Sequence, residues 1–293
     1  MGDTLPQVPF GPHRISRLVI GGNPLRGNSH FSDELSQEMR DYYTTENVLA
    51  AWFEAERCGV TAMQSRGDQI VMDWVDRYRD CGGTMGWIVQ TASERKGGDI
   101  ADNIREIARH RPIAIYHHGT RTDRLWKEGK VESIRDLLKL VRDLGLRAGL
   151  CSHMPEVLAY AEEHAWEADF YMAAAYNLSR VNRESYLVAG GKQQKEVYDA
   201  ADRERMAAFV RQTPRQCIFF KILAARRNCA TQETVREAFA WAFDYIKPID
   251  VVDVGVFQKH ANEIALDAGY VRELADRIGA TRWRAAASVG RPA

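Results

Sequence analysis

The sequence predicts an α/β protein folded as a (β/α)8 barrel, because three observations agree. Eight apolar runs of four to six residues alternate with longer amphipathic segments, and runs of that length are typical of buried parallel strands. Eight strand-then-helix units in about 250 residues match the usual size of this barrel. The first run is followed by Gly21-Gly22-Asn23-Pro24, whereas a doubly wound sheet would offer a glycine-rich phosphate turn and then a helix. We therefore expect one barrel domain over residues 1–293.

The elements follow one another along the chain in the order that a barrel requires. The predicted strands are Ile15–Ile20, Thr61–Gln64, Trp87–Gln90, Ile113–Tyr116, Arg147–Cys151, Phe170–Ala174, Cys217–Lys221 and Val251–Val254. Apolar residues at helical spacing predict helices over Asn47–Cys58, Asp99–Arg109, Val131–Leu144, Pro155–Glu163 and Thr231–Ile246. Longer segments after the first and sixth strands lie where barrels build active sites, and they are predicted to form pocket walls or lids: Leu25–Tyr43 and Asn177–Ala201.

Composition excludes several classes of partner. Lys and Arg number 40 and balance 40 Asp and Glu, which argues against a nucleic-acid binder or a polybasic membrane anchor. The sequence has no apolar run of about 18 residues and does not open like a secretory signal. Five widely spaced cysteines without a CxxC pair indicate a reducing compartment. We expect a cytoplasmic protein that acts on a small molecule, with no nucleic-acid or membrane partner; a homo-oligomer is left open.

Several segments resemble the aldo-keto reductase family. They are VPFGPHRISRLVIGGNP, ENVLAAWFEAERCGVTA, AIYHHG, WKEGKVESIRDLLKLVRDLGLRAGLCSHMPEVLAYA, FFKILAARR and VVDVGVFQKHANEI, which together run from about Ile15 to Leu274. The resemblance implies a barrel whose lower end is closed by a hairpin. It also implies reduction of carbonyls with NADPH by an Asp, a Tyr proton donor, a Lys and a His.

The sequence departs from that reductase pattern at most of the implied catalytic positions. Gln64 stands at the Asp position and Gln90 at the Lys position, and no tyrosine follows the second strand before Tyr78. The His position is kept as His118 (or His117), and Ala173 replaces the glutamine that binds the nicotinamide amide. A reductase without its proton donor loses general-acid help worth about 10²–10⁴ in rate. NADPH in the family's usual geometry is therefore disfavoured.

Polar side chains at the predicted strand ends are the candidate site residues. We expect His118, His153 and Lys221 to be catalytic, because imidazoles move protons near neutral pH and a desolvated lysine can act as a base, a nucleophile or an anion anchor. His117 should point away, since neighbours on a strand alternate. The candidate substrate-binding residues are Asn23, Gln64, Arg66, Gln90, Asn177 and Lys259.

A metal is left open by the residue types. His118, His153 and His260 would be its ligands, because three converging imidazoles suit a divalent transition metal. The sequence has no HExxH or HxH pair to support it. Carboxylates are almost absent from the predicted strand ends, and Asp68 and Glu94 are the nearest. This weakens the hypothesis of a glycosidase that uses a pair of carboxylates.

Three function hypotheses remain. The first is a small-molecule enzyme performing elimination, epimerisation, isomerisation or hydrolysis on a polar carbonyl- or carbohydrate-type substrate. The second is an NADPH-dependent reductase with a displaced proton donor such as Tyr42, Tyr43 or Tyr186. The third is a catalytically silent barrel that binds a ligand.

Overall fold

Eight parallel strands close into a barrel in the computed structural model of the chain, which describes residues 4–92, 99–182 and 192–278. An antiparallel hairpin precedes the barrel and consists of β1 (Gln7–Phe10) and β2 (His13–Ser16). The barrel strands follow in chain order: β3 (Leu18–Gly21), β4 (Ala62–Arg66), β5 (Gly86–Gln90), β6 (Ala114–His117), β7 (Arg147–Ser152), β8 (Phe170–Ala174), β9 (Gln216–Phe220) and β10 (Val251–Gly255). Each strand pairs with the next, and β10 pairs with both β9 and β3. The predicted fold class is confirmed.

Helices lie between successive strands and cover the outside of the barrel. They are α1 (Asp33–Tyr42), α2 (Thr45–Arg57), α3 (Gln69–Asp80), α4 (Ile100–Arg109), α5 (Gly119–Lys127), α6 (Ile134–Asp143), α7 (Pro155–Glu163), α8 (Ala200–Gln212), α9 (Gln232–Tyr245) and α10 (Glu263–Leu274). Several begin at a side chain that accepts a hydrogen bond from a backbone N–H of the first turn, as Asp99 does for α4 and Thr231 for α9. No helix in the described ranges is long and apolar enough to cross a membrane.

The lower end of the barrel is closed by the hairpin. Val8, Phe10 and Ile15 are buried in one cluster with the inward side chains of the barrel strands. The ring of Phe10 meets that of Phe170 edge to face at 5.1 Å between centroids, and the guanidinium of Arg147 lies over the Phe10 ring. The lower interior is therefore packed with apolar groups, and polar chemistry is confined to the opposite end.

Seven of the eight predicted strands differ from the structure in their bounds, and two of these differences have clear local reasons. The run Ile15–Ile20 is divided between β2 and β3, because the Ser16 hydroxyl donates to the carbonyl oxygen of Leu18 at 2.6 Å and turns the chain. At the other end of the barrel, β9 stops at Phe220 because Lys221 has left-handed backbone torsions (φ 63°) that end the strand. That left-handed turn directs the chain across the mouth of the barrel.

The two long segments contain more regular structure than the sequence alone indicates. Leu25–Tyr43 includes the end of a short 3-10 helix (Pro24–Arg26) and the whole of α1. The second segment, Asn177–Ala201, is described up to residue 182 and from residue 192 onward, where an extended stretch leads into α8.

Candidate functional site

Two adjoining cavities occupy the end of the barrel at which the strands finish. The large cavity has a volume of about 330 Å³ and the small cavity about 60 Å³. Both are lined by Asn23, Asn28, His30, Gln64, Gln90, Phe220 and Lys221. The large cavity is in the size range of small-molecule sites, and its position is where barrel enzymes carry out their chemistry.

Asp253 of β10 points into the large cavity, and the sequence analysis did not identify it. Its side chain is 5% exposed, and Oδ1 has no hydrogen-bond partner among the described residues. Burial raises the pKa of Asp253 to about 7, although the nearby Lys221 opposes that rise. Gly21 of β3 makes room for the carboxyl group, because a Cβ at Gly21 would lie 2.7 Å from Oδ1. A buried carboxyl oxygen without a hydrogen bond is costly unless a ligand uses it.

Lys221 follows β9 directly and lines both cavities. Its charge acts on Asp253 and on the buried thiol of Cys151, lowering the pKa of each against the larger effect of burial. Its ammonium group lies 5.9 Å from the centre of the Phe220 ring. The left-handed torsions of Lys221 are rarely adopted by residues with a side chain, and such strain occurs most often at functional sites.

His153 and Asp123 form a buried pair on the wall of the small cavity. Nδ1 of His153 lies 2.7 Å from Oδ2 of Asp123. Burial by itself raises the pKa of Asp123, but hydrogen bonds from His153 and from the hydroxyls of Ser152 and Ser179 outweigh it, so the pKa is lowered. An ionised carboxylate only accepts hydrogen bonds, so Nδ1 carries a proton and Nε2 is the nitrogen that exchanges protons.

A second histidine–carboxylate pair is formed by His30, which lines both cavities, and Glu196 from a different loop. Nδ1 of His30 lies 2.8 Å from Oε1 of Glu196, with both side chains buried. The amide nitrogen of Asn23 donates to Nε2 of His30 at 3.3 Å, so that the ring proton is on Nδ1. Arg227 fixes the same loop by donating to the carbonyl oxygen of His30 and stacking on Tyr198 at 4.0 Å.

Gln64 and Gln90 are joined through a tyrosine at the base of the large cavity. Nε2 of Gln64 donates to the hydroxyl of Tyr116 at 2.6 Å, and that hydroxyl donates to Oε1 of Gln90 at 3.3 Å. Burial, with smaller effects of Cys151 and Asp253, raises the pKa of Tyr116 well above its usual value. The chain of three groups presents neutral donors and acceptors of the kind that bind substrate hydroxyls.

The structure brings most of the candidate residues together, because Asn23, Gln64, Gln90 and Lys221 line both cavities. His118 and His153 line the small cavity, as does Arg66, whose guanidinium forms an ion pair with Asp68 at 3.3 Å. The backbone N–H of His118 donates to the hydroxyl of Thr91 and the residue precedes α5. His117 lies outside both linings and its Nδ1 is 2.8 Å from the hydroxyl of Thr122.

Two candidate substrate-binding residues lie outside the cavities. The side chain of Asn177 accepts a hydrogen bond from the backbone of Ser179 and so stabilises a turn. Lys259 is exposed and donates to Glu38 at 2.8 Å. Neither lines the two cavities, because Asn177 is held within its own turn and Lys259 is held by Glu38 of α1.

The three candidate metal ligands do not converge. His260 lies at the rim, where its Nε2 is 2.7 Å from Glu38, while His153 is held by Asp123 and His118 lies in the small cavity. Over the described ranges, no group of three or more His, Cys, Asp or Glu side chains is arranged to hold a metal ion. The candidate zinc-type arrangement is therefore not formed.

Carboxyl groups are more numerous at this end of the barrel than the sequence indicates. Asp253, Glu263 and Asp267 line the large cavity. Glu263 and Asp267 lie one helical turn apart on α10. Of the two carboxylates noted from the sequence, Asp68 caps α3, and Glu94 lies outside the described residues.

Comparisons with known proteins show the fold and no family. No family model matches the chain, and no curated protein matches it. Among solved structures, the apo form of Gox0644 has a TM-score of 0.56 at 9% identity, over 94% of this chain and 89% of that one. An aldolase, QR15, has a TM-score of 0.38 at 12% identity, over 80% of this chain and 90% of that one. A putative lactate oxidase of Pediococcus acidilactici has a TM-score of 0.45 at 12% identity, over 93% of this chain and 72% of that one.

Proposed function

We propose that the protein is an enzyme that carries out acid–base chemistry without a redox step on a polar carbonyl- or carbohydrate-type small molecule. The observation that carries the proposal is the buried carboxyl group of Asp253, which lines a cavity near Lys221 and has one oxygen that no described residue bonds. A general base is most effective when its pKa is close to the working pH, and the pKa of Asp253 is raised to about 7.

The reaction class that fits this pair is proton abstraction from a carbon next to a carbonyl group. The Asp253 carboxylate takes the proton, and the electron pair of the broken C–H bond moves toward the carbonyl oxygen to give an enolate. The ammonium group of Lys221 stabilises the negative charge that develops on that oxygen. Protonation of the enolate on the opposite face of the same carbon gives epimerisation, and protonation of the neighbouring carbon gives isomerisation. Loss of a neighbouring hydroxyl as water, with a proton supplied by a histidine, gives elimination.

Two histidines supply further proton transfer to and from oxygen atoms of the substrate. His153 and His30 each have one nitrogen fixed by a carboxylate, which orients the ring and favours its protonated form when a proton arrives. Asn23, Gln64 and Gln90 line the cavities around them, and their amides suit the hydroxyl groups of a carbohydrate-type substrate.

The resemblance to aldo-keto reductases supports the barrel fold but not the reductase chemistry. Reduction of a carbonyl group with NADPH is the competing proposal. Of the tyrosines considered as displaced donors, Tyr43 is buried and its hydroxyl donates to the Val256 carbonyl, Tyr42 packs against it, and Tyr186 lies outside the described residues. Tyr116 does line the cavity, but its raised pKa disfavours the ionised product of proton donation to a substrate carbonyl. Tryptophan-fluorescence titration with NADPH distinguishes the two proposals, since saturable binding at micromolar cofactor supports the reductase.

Deuterium exchange tests the proposed chemistry even when the final product is unidentified. The protein is incubated in D2O with a panel of aldoses, ketoses and hydroxy acids, and proton NMR records loss of the signal from the carbon next to the carbonyl. We expect exchange for at least one compound, and we expect Asp253→Asn to slow it at least 100-fold. Asp136→Asn, which alters an exposed carboxylate of α6, is the matched control. Undiminished exchange in Asp253→Asn would contradict the assignment.

A further inference from the structure

The large cavity extends beyond the proposed catalytic groups into a second region, which we call the outer part. It lies between the segment after β9 and the first turns of α10, and it is lined by Leu223, Arg226, Cys229, Glu263, Leu266 and Asp267. The small cavity, which contains His118 and His153, is several times smaller than the large one. The molecule therefore offers room for a substrate portion that does not react.

Two carboxyl groups face this space with little to compensate them. Asp267 is 4% exposed and lines the cavity, and its carboxyl group forms no hydrogen bond or ion pair with the described residues. Glu263 accepts one hydrogen bond, from the backbone N–H of Phe257 at 2.6 Å. Burial raises the pKa of both groups, and the charge of Glu263 raises that of Asp267 further.

Among the described residues, the titratable groups near Asp267 supply no balancing cation. Arg226 and His260 lower the pKa of Glu263, against the larger effect of burial. Within the part of the chain that the structure describes, burial and Glu263 act on Asp267, and both raise its pKa. Cys229 also faces the pair and is itself kept protonated, chiefly by burial. A cation placed between the two carboxyl groups would reverse this cost, because an opposite charge within about 4–6 Å favours the ionised carboxylate.

We propose that the outer part is a binding subsite for a protonated amino group. The ammonium ion lies between Glu263 and Asp267, and its carbon skeleton contacts the apolar side chains of Leu223 and Leu266. The assignment of this amine to the substrate rests on the proposed function, and it makes the substrate an amine-bearing carbonyl or carbohydrate compound such as an amino sugar. The subsite itself stands whether or not the proposed reaction occurs.

Calorimetric titration with a simple amine tests the subsite directly. Cyclohexylamine is the probe, and cyclohexanol is the uncharged control of the same shape. We expect the amine to bind at least tenfold more tightly than the alcohol at pH 7, since hydrogen bonds to charged groups are worth about 1.5–3 kcal/mol, or roughly 10- to 100-fold in affinity. Binding should release up to about one proton per amine, because the ammonium ion favours the ionised form of Asp267. The proton count follows from titrations in buffers of different ionisation enthalpy.

The variants decide where the amine binds. Asp267→Asn should weaken binding of the amine at least tenfold and abolish proton release, and Asp276→Asn, which alters an exposed residue beyond α10, should change neither. Asp267→Asn removes an uncompensated buried carboxyl group, so it is expected to fold, and circular dichroism checks that it does. Equal affinity for amine and alcohol, or an unaffected Asp267→Asn variant, would overturn the proposal.

The result is separable from the proposed reaction. The same titration on Asp253→Asn should give unchanged affinity for cyclohexylamine, because Asp253 belongs to the proposed catalytic group and lies outside the outer part. If the protein does not bind the amine but catalyses deuterium exchange, only the proposed subsite is contradicted. If the protein binds the amine but catalyses no deuterium exchange, only the proposed chemistry is contradicted.

Discussion

Replacing Asp253 by Asn should make the protein more stable above neutral pH. The substitution keeps the shape of the side chain and removes its charge, and Oδ1 has no hydrogen bond from the described residues that would be lost. In the native protein, burial raises the pKa of Asp253 to about 7, from 3.8 for an unperturbed aspartate. The protonated form is therefore favoured by folding, and the ionised form is disfavoured.

The magnitude follows from the two pKa values. Below pH 3.8 the carboxyl group is protonated in both the native and the unfolded chain, so it contributes nothing to the pH dependence. Between pH 3.8 and 7 the unfolded chain has lost the proton and the native chain still holds it, so stability falls as pH rises. The fall is about 1.4 kcal/mol per pH unit, or about 4 kcal/mol over the interval, and it is complete above pH 7. Asn does not titrate and lacks this loss.

Urea denaturation between pH 4 and 8 measures the effect. The quantity of interest is the free energy of unfolding of Asp253→Asn minus that of the wild type, because other titrating groups cancel in the difference. We expect this difference to rise by about 4 kcal/mol from pH 4 to 8, and the exposed Asp136→Asn control to show no such rise. In Lys221→Met the pKa of Asp253 should rise further, because the nearby positive charge is removed. The stability of this variant should therefore continue to fall above pH 7. Parallel curves for Asp253→Asn and wild type would refute the reasoning.

Two further predictions concern groups packed around the cavities. Gly21→Ala should lower the free energy of unfolding by about 1–3 kcal/mol in urea denaturation, because the new Cβ would lie 2.7 Å from the Asp253 carboxylate and 3.1 Å from the backbone nitrogen of Gly255; stability equal to wild type would contradict the close packing. Glu196→Gln should lower turnover at least tenfold and leave substrate affinity nearly unchanged, because His30 loses the carboxylate that stabilises its protonated form. A change in affinity alone would show that the pair only binds.

The barrel was predictable from sequence because its strands are buried on both faces and short, which makes each one a distinct apolar run. The bounds were less predictable where a single residue ends a strand. Lys221 directly follows the apolar residues of β9 in the sequence, so the predicted strand includes it. Its left-handed backbone torsions exclude it from the strand in the structure. Those torsions arise from the turn that follows and leave no signal in the residue type.

The candidate site was predictable to the extent that its residues follow the strand periodicity. Gln64, Gln90 and Lys221 were found because they close apolar runs, and all three line both cavities. Asp253 had the same signal available, because Val251 points into the barrel and the residue two positions later must do so too. Glu196 had none, since it lies in an extended segment and reaches His30 only through tertiary structure.

A second buried aspartate in the same segment shows why Asp253 is better explained by chemistry than by folding. Asp250, three residues earlier, is fully buried, and it accepts hydrogen bonds from the backbone N–H groups of Cys217 and Lys247 and from the Lys247 ammonium group. Those bonds join β9, the preceding turn and β10, so Asp250 stabilises the lower end of the barrel. Asp253 is nearly as buried, but its Oδ1 has no partner among the described residues and it faces a cavity. An apolar residue at that level would extend the packed interior at lower cost, so the carboxyl group is expected where a ligand uses it.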